Sequence, residues 1–164
     1  MKNTLSFILC LFLVFTVWAQ KKKPVFPNDF LGVYKGTLVM NLPNDKVQEI
    51  PMEFHLLATD TSGRFTYTLV YDGKPRNYTL VEKDASKGSY EIDENNGIIL
   101  GCKFIHQTLY SYFQVGDNFL NSRLAFSKKK IDFEILFYWG PIQTIGNDTI
   151  FILSIAPSCR KIYI

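Results

Sequence analysis

The chain has 164 residues and a formal net charge of +3 at pH 7. Its length is sufficient for one domain with a substantial apolar core. Its charge is too small to indicate nucleic acid or an anionic membrane surface as a partner. With only two histidines and three cysteines, the chain shows no cluster with metal-ligand spacing, so no metal or other cofactor is expected.

Residues 1–19 are typical of a secretory signal peptide. Lys2 supplies a positive charge, an apolar run from Leu5 to Val17 follows, and cleavage is expected after Ala19. The run is too short to predict a membrane span. We therefore expect an exported protein, periplasmic or extracellular, with no transmembrane span in the mature chain. Residues 20–29, which contain two prolines, are expected to be an N-terminal tail.

From Phe30 onward, apolar and polar residues alternate, which predicts half-buried antiparallel strands. The pattern begins at Gly32, returns in about ten short segments, and ends with a predicted strand over Phe151–Ile155. Turn-forming residues separate the segments. A short turn near Pro27–Leu31 is the only helical element expected. Residues 30–164 are thus predicted to form one all-β domain.

Short strands joined by local hairpins leave two unpaired edges unless the sheet closes on itself. The sequence therefore predicts a single antiparallel up-and-down β-barrel of about 8–10 strands. A β-sandwich is the alternative, with Gly140–Asp148 as its crossover connection. Asn96-Gly97 is the strongest hairpin signal, because a type I′ turn needs positive φ at both central residues.

Polar residues that carry chemistry are few, and we expect a protein that is not an enzyme. His55 falls on the polar face of its strand, whereas His106 shares the parity of the apolar residues before it and is expected near the interior in a structural role. Glu91 and Asp93 lie opposite the apolar face and are expected to contact solvent. No nucleotide-binding or nucleophile motif is present.

Two cysteines remain in the expected mature chain, Cys102 and Cys159. Exported compartments are usually oxidising, so the pair is a candidate disulfide. Two separate buried thiols are the alternative, since the sequence gives no distance between them.

Aromatic residues on the inward parity are the feature with most functional potential. Such a lining can enclose an apolar ligand, with phenol hydroxyls as polar anchors and Arg76 placed to meet a ligand carboxylate. Alternatively, the same rings simply fill a small barrel. The candidate ligand-lining residues are Tyr34, Phe54, Phe65, Tyr67, Arg76, Tyr78, Phe104 and Phe133.

Two functions follow from this composition. The first is an exported, non-enzymatic protein that binds a small apolar or amphipathic ligand inside the barrel. The alternative is a structural or protein-interaction component of the cell envelope with a filled barrel. In that case its outer face, or the basic hairpin tip Lys128–Lys130, would contact an envelope protein partner.

The segment Phe30–Gly36 (Phe-Leu-Gly-Val-Tyr-Lys-Gly) resembles the opening of lipocalin-type and broader calycin-type barrels. There, a Gly-x-Trp follows a short helical turn and the aromatic ring plugs one end; Tyr34 stands at the Trp position. The resemblance implies that Arg160 packs across this ring and that Cys159, with Cys102, ties the C-terminal stretch to the barrel. No helix follows the last predicted strand, unlike in lipocalins. The whole chain also resembles small exported β-proteins of Gram-negative bacteria.

Overall fold

The computed structural model describes residues 23–42, 46–116, 118–127, 130–139 and 159–163. These residues form ten strands and two 3₁₀ turns, at Asn28–Phe30 and Ala85–Lys87. The strands are β1 (Gly32–Asn41), β2 (Val47–Ala58), β3 (Arg64–Tyr71), β4 (Lys74–Asp84), β5 (Ser89–Asp93), β6 (Ile99–Ile105), β7 (Thr108–Val115), β8 (Asn118–Phe126), β9 (Ile131–Trp139) and β10 (Cys159–Tyr163).

Strands β1–β9 form a nearly closed antiparallel sheet in which each strand pairs with its neighbours in sequence. The short β10 lies between β9 and β1 and completes the ring. The predicted up-and-down β-barrel is confirmed, and the β-sandwich alternative is wrong because consecutive strands are always adjacent. The last described strand is Cys159–Tyr163; the strand predicted at Phe151–Ile155 lies outside the described residues.

The hairpin turns show where local chemistry sets the register. Asp72 and Gly73 both have positive φ, 49° and 73°, as a type I′ turn requires. Asn96-Gly97 does not form the predicted type I′ turn. In that longer loop the positive φ values fall on Asn95 and Gly97, and the Glu94 N–H donates to the Ile98 carbonyl at 3.0 Å.

The barrel interior is filled by residues of the inward parity. Phe54, Leu56, Leu80, Ile131 and Phe133 are almost completely removed from solvent. Their strands alternate buried and more exposed positions, as a sheet with one apolar face should. Burial of this inner face is the main favourable contribution to folding.

One end of the barrel is closed by the segment that precedes β1. The Phe26 and Phe30 rings enter this end and are buried, and the Tyr90 hydroxyl donates to the Phe26 carbonyl at 3.1 Å. Phe26 stacks on Phe104 with a 4.2 Å centroid separation and lies 5.2 Å from Phe126. We call this the plugged end and the opposite one the distal end. Within the predicted N-terminal tail, Phe26 and Pro27 are thus buried, whereas Val25, Asn28 and Asp29 are exposed.

The predicted short turn near Pro27–Leu31 is confirmed as the 3₁₀ turn Asn28–Phe30 within this plug. The predicted signal peptide, residues 1–19, lies outside the described residues. In the described part of the chain, none of the helical segments has the length and apolar character needed to cross a membrane.

Candidate functional site

A column of aromatic rings runs through the barrel from the plugged end toward the distal end. Phe126, beside the plug, lies 6.5 Å from Phe54, and Phe54 makes an edge contact with Tyr67 at 4.9 Å between centroids. The Tyr67 ring lies 6.4 Å from that of Tyr78 on β4. The column thus changes from phenylalanine at the plug to tyrosine beyond the middle of the barrel.

The register of β2, β3 and β4 explains why the tyrosines meet. Tyr67 pairs directly with Tyr78 across β3 and β4, and Tyr71 lies four residues beyond Tyr67 on the same face of β3. Tyr78 and Tyr71 are half-buried and pack against the core. We call Tyr67, Tyr71 and Tyr78, with the nearby thiol of Cys102, the tyrosine cluster.

Burial determines the protonation state of the cluster. Tyr67 is only 3% exposed, and desolvation raises the pKa of its hydroxyl well above its usual value. Cys102, Tyr71 and Tyr78 are near enough that their charges would raise that pKa further. The Tyr67 hydroxyl therefore remains protonated at physiological pH.

Cys102 supplies a second polar group on the inner wall. Burial raises the pKa of its thiol to about 11, although a hydrogen bond with Ser111 opposes that shift. The thiol donates to the Leu100 carbonyl at 3.5 Å. The Ser111 hydroxyl, on the paired position of β7, donates to the Gly101 carbonyl at 3.2 Å. This part of the wall is polar but neutral.

Cys102 is a free thiol in the structure, so the disulfide expected with Cys159 is not formed. The reason is topological: β7, β8 and β9 separate β6 from β10 in the ring. The two cysteines therefore lie on nearly opposite sides of the barrel, whereas a disulfide requires Cα atoms within about 7 Å. The side chain of Cys159 lies outside the described residues.

The eight candidate ligand-lining residues occupy three different environments. Phe54, Phe65, Tyr67 and Phe133 are buried in the core. Tyr34, Tyr78 and Phe104 are partly buried against it, with Tyr34 and Phe104 near the plug and Tyr78 toward the distal end. Arg76 is exposed on β4, two residues from Tyr78 on the same face.

Tyr34 occupies the position at which the calycin resemblance places an aromatic plug. Its hydroxyl donates to the Phe30 carbonyl at 2.8 Å, and its ring stacks on Phe54 at 6.1 Å. Burial raises the pKa of this hydroxyl. Arg160 lies on β10, where its backbone pairs with Ile135; its side chain lies outside the described residues.

The remaining candidate residues lie away from this interior. His55 is on the outer face, as predicted, and its Nε2 lies 2.8 Å from a Glu53 carboxylate oxygen. The same carboxylate accepts a hydrogen bond from Lys35 at 2.7 Å, and this contact is the main cause of the lowered pKa of Glu53. His106 is in the exposed β6–β7 turn with φ of 48°, which corrects its expected position near the interior.

Glu91 and Asp93 lie on the outer face, as predicted, and each has a basic neighbour. Glu91 is 3.1 Å from the Lys83 ammonium, and Asp93 is 3.8 Å from the Arg64 guanidinium. Such partly exposed ion pairs contribute little to stability. Across the described ranges, no group of three or more His, Cys, Asp or Glu side chains is arranged to hold a metal ion.

Sequence reasoning missed the plug, and it left Tyr71, an inward-facing tyrosine, out of the candidate ligand-lining residues. The signal for the plug was present in Val25-Phe26-Pro27 and Phe30, apolar residues inside a segment otherwise rich in lysine, proline, asparagine and aspartate. The grouping of Tyr71 with Tyr67 and Tyr78 could not be predicted from the sequence, because it depends on the inter-strand register.

Comparison with protein-family models, with curated proteins and with solved structures found no match to this chain. The structure itself defines the class: an all-antiparallel, up-and-down β-barrel with a plugged end, consistent with a calycin-like barrel.

Proposed function

We propose that this protein is an exported, lipocalin-like barrel that binds one small apolar or amphipathic molecule without transforming it. The binding region is the distal half of the interior, between the tyrosine cluster and the distal rim. The proposal rests chiefly on how burial is distributed along the barrel axis, and export rests on the sequence of residues 1–19.

Burial differs between the two ends of the inner wall. At the plugged end, inward residues such as Phe26, Leu109 and Phe126 are buried, whereas Tyr34 and Phe104 there are partly buried. Toward the distal end, inward apolar residues pack against the core yet keep part of their surface exposed. These are Met40, Ile50, Tyr71, Tyr78, Leu100 and Ile135. A concave apolar surface with a few hydroxyl groups is the usual chemistry of a small-molecule site.

Arg76 adds a charge at the distal rim. It pairs with Leu69 of β3 and shares the inward parity of Tyr78, but it is exposed to solvent. An amphipathic ligand with an acidic group could leave that group hydrated at the rim, beside the guanidinium, while its apolar part enters the barrel.

Binding rather than catalysis is supported by the state of the interior groups. Burial holds the Cys102 thiol and the Tyr67 hydroxyl protonated at neutral pH. A nucleophile needs the opposite environment, one that lowers its pKa or places a base beside it. His55 lies on the outer face and His106 in an exposed turn, so neither is positioned as that base.

The test is to fill the proposed site without disturbing the rest of the barrel. Leu100→Trp places a large ring on the inner wall near the distal end. We expect it to weaken binding of a fluorescent apolar probe, anilinonaphthalene sulfonate, at least tenfold, because the added ring occupies the space of the probe. Fluorescence titration of the purified protein measures this change.

The matched control is Ile99→Trp, on the adjacent residue of β6. Ile99 is 51% exposed on the outer face, so this variant carries the same ring outside the barrel. Probe binding should stay at the wild-type level. Equal losses in the two variants, or a wild-type protein that does not bind the probe at all, would count against an interior site.

The second candidate function is that of an interaction component of the cell envelope. One observation favours it: Ile99, Ile105 and Tyr112 expose apolar side chains on the outer face of the adjacent strands β6 and β7, with Tyr112 64% exposed. Outward apolar groups on neighbouring strands are typical of a contact surface. Failure of the wild-type protein to bind any interior probe would favour this function. Lys128 and Lys129 of the basic tip lie outside the described residues.

A further inference from the structure

We propose that the site recognises a neutral hydrogen-bond acceptor on the ligand, such as a ketone, ester or quinone oxygen, through the hydroxyl of Tyr67. This inference rests on the proposed function and adds the chemical class of the ligand. The observation that supports it is the position of Tyr67, which lies where the aromatic column meets the distal half of the interior.

The Tyr67 hydroxyl lacks a protein partner. The side chain is 97% removed from solvent, yet no hydrogen bond joins its hydroxyl to any other part of the chain that the structure describes. Buried hydroxyl groups are normally paired, since an unpaired one has lost its hydrogen bonds to water.

Tyr90 gives the contrast within the same barrel. It is as deeply buried as Tyr67, but its hydroxyl donates to the Phe26 carbonyl at 3.1 Å. Tyr34 likewise donates to the Phe30 carbonyl at 2.8 Å. The tyrosines that hold the plug therefore have backbone acceptors, whereas Tyr67, on the ligand side of the column, has a donor available for a molecule that enters the barrel.

The surroundings of Tyr67 select a neutral acceptor. The titratable groups that act electrostatically on its hydroxyl are the phenols of Tyr71 and Tyr78 and the Cys102 thiol, none of which carries a positive charge. A carboxylate moved to this depth would lose its hydration without gaining a cation. Arg76, the basic residue of this face, is out at the exposed rim. A carbonyl oxygen needs only one donor and loses little hydration energy.

The experiment uses probes that differ only in the oxygen. Acetophenone and ethylbenzene form one pair of nearly equal shape, and valerophenone and pentylbenzene form a longer one. We expect calorimetric titration of the purified protein to show the ketone of at least one pair binding about tenfold more tightly, the effect of one hydrogen bond. Benzoate should bind more weakly than acetophenone.

Tyr67→Phe should abolish the preference for the ketone while leaving the affinity for the hydrocarbon unchanged. It should not lower the thermal midpoint of the free protein, because the lost hydroxyl had no partner. Tyr90→Phe is the control with the opposite pattern: a lower midpoint, since the bond to Phe26 is lost, and an unchanged ketone preference.

The outcomes separate this inference from the proposed function. Binding of ketone and hydrocarbon with equal affinity, or a ketone preference that survives Tyr67→Phe, overturns the inference and leaves the binding barrel intact. Tighter binding of benzoate also overturns it, since that result would assign recognition to a charged group. If none of the four ketone and hydrocarbon probes binds, the inference and the proposed function are overturned together.

Discussion

Individual buried residues in this barrel hold protons that the unfolded chain would release. Burial raises the pKa of Cys102 from 9.0 to about 11 and that of Tyr90 from 10.0 to about 12, and it raises that of Tyr67 as well. A group whose pKa is higher in the folded state stabilises the protein below its ordinary pKa. That contribution is lost as pH rises through the window between the two values.

The free energy of unfolding should therefore fall steeply as pH rises in the alkaline range. Between pH 9 and 11 the folded protein retains the Cys102 proton while the unfolded chain releases it, so the free energy of unfolding should fall by roughly 2–3 kcal/mol for this group. Urea denaturation at several pH values measures the slope. Cys102→Ala should flatten it in that window, and an unchanged slope in the variant would show that the thiol is not desolvated.

At the scale of single residues, the sequence predicted which side chains face the interior but not which groups they form hydrogen bonds with. Alternation correctly placed Phe54, Tyr67 and Phe133 inside the barrel. It failed for His106, because parity has meaning only within a strand and His106 lies in the turn after β6. It also gave no information on which hydroxyl groups find acceptors, since that depends on distances across the barrel.

At the scale of the elements, the connection between β4 and β5 is constrained by a close backbone contact. The 3₁₀ turn Ala85–Lys87 ends at Gly88, whose φ is 63°. A Cβ atom at this position would clash with the carbonyl oxygen of Phe104. That oxygen belongs to the backbone of β6, which is hydrogen-bonded to Gly88 through the Phe104 N–H at 2.8 Å.

Replacing this glycine should separate the effect of crowding from the effect of backbone conformation. Gly73→Ala, at φ 73° with open space around it, should cost about 1–2 kcal/mol of unfolding free energy for the left-handed conformation alone. Gly88→Ala should cost clearly more, since β5 and β6 must move apart as well. Chemical denaturation measures both, and equal losses would mean that the strands adjust without cost.

The hairpins show how far local signals extend. Asp72-Gly73 was recognisable as a turn and forms one with positive φ at both residues. His106-Gln107 has the same geometry, with φ of 48° and 60°, although neither residue type favours it strongly. There, a long-range hydrogen bond from the Phe126 N–H to the Gln107 carbonyl, at 2.8 Å, holds the turn together with the β6–β7 pairing, and no local signal in the sequence indicates that bond.

For the molecule as a whole, the plug packs against three strands on one side of the barrel. Phe26 contacts Tyr90 on β5, Phe104 on β6 and Phe126 on β8. Of these strands, β5 and β6 are hydrogen-bonded neighbours, and Phe104 of β6 also contacts Phe126 of β8, with ring centroids 6.2 Å apart. The plug thus adds contacts across the interior. We therefore expect this short segment to contribute more to the free energy of unfolding than an exposed segment of about the same length would.

Phe26→Ala should lower the free energy of unfolding by about 3–5 kcal/mol, the usual cost of emptying a core phenylalanine site. Val25→Ala, at a residue 49% exposed beside it, should change stability by less than about 0.5 kcal/mol. Equilibrium urea denaturation compares the two. A small effect of Phe26→Ala would show that the plug detaches before the barrel unfolds.

The pairing of β10 with β1 has a consequence for how the chain folds. Nine of the ten strand pairings join consecutive strands, whereas this one brings together Thr37 and Tyr163 from opposite ends of the described chain. Its loop-closure entropy is the largest in the fold, so ring closure should be the slow step of assembly. Until β10 docks, β1 and β9 present unpaired edges, and at high concentration a second copy could donate its strand instead.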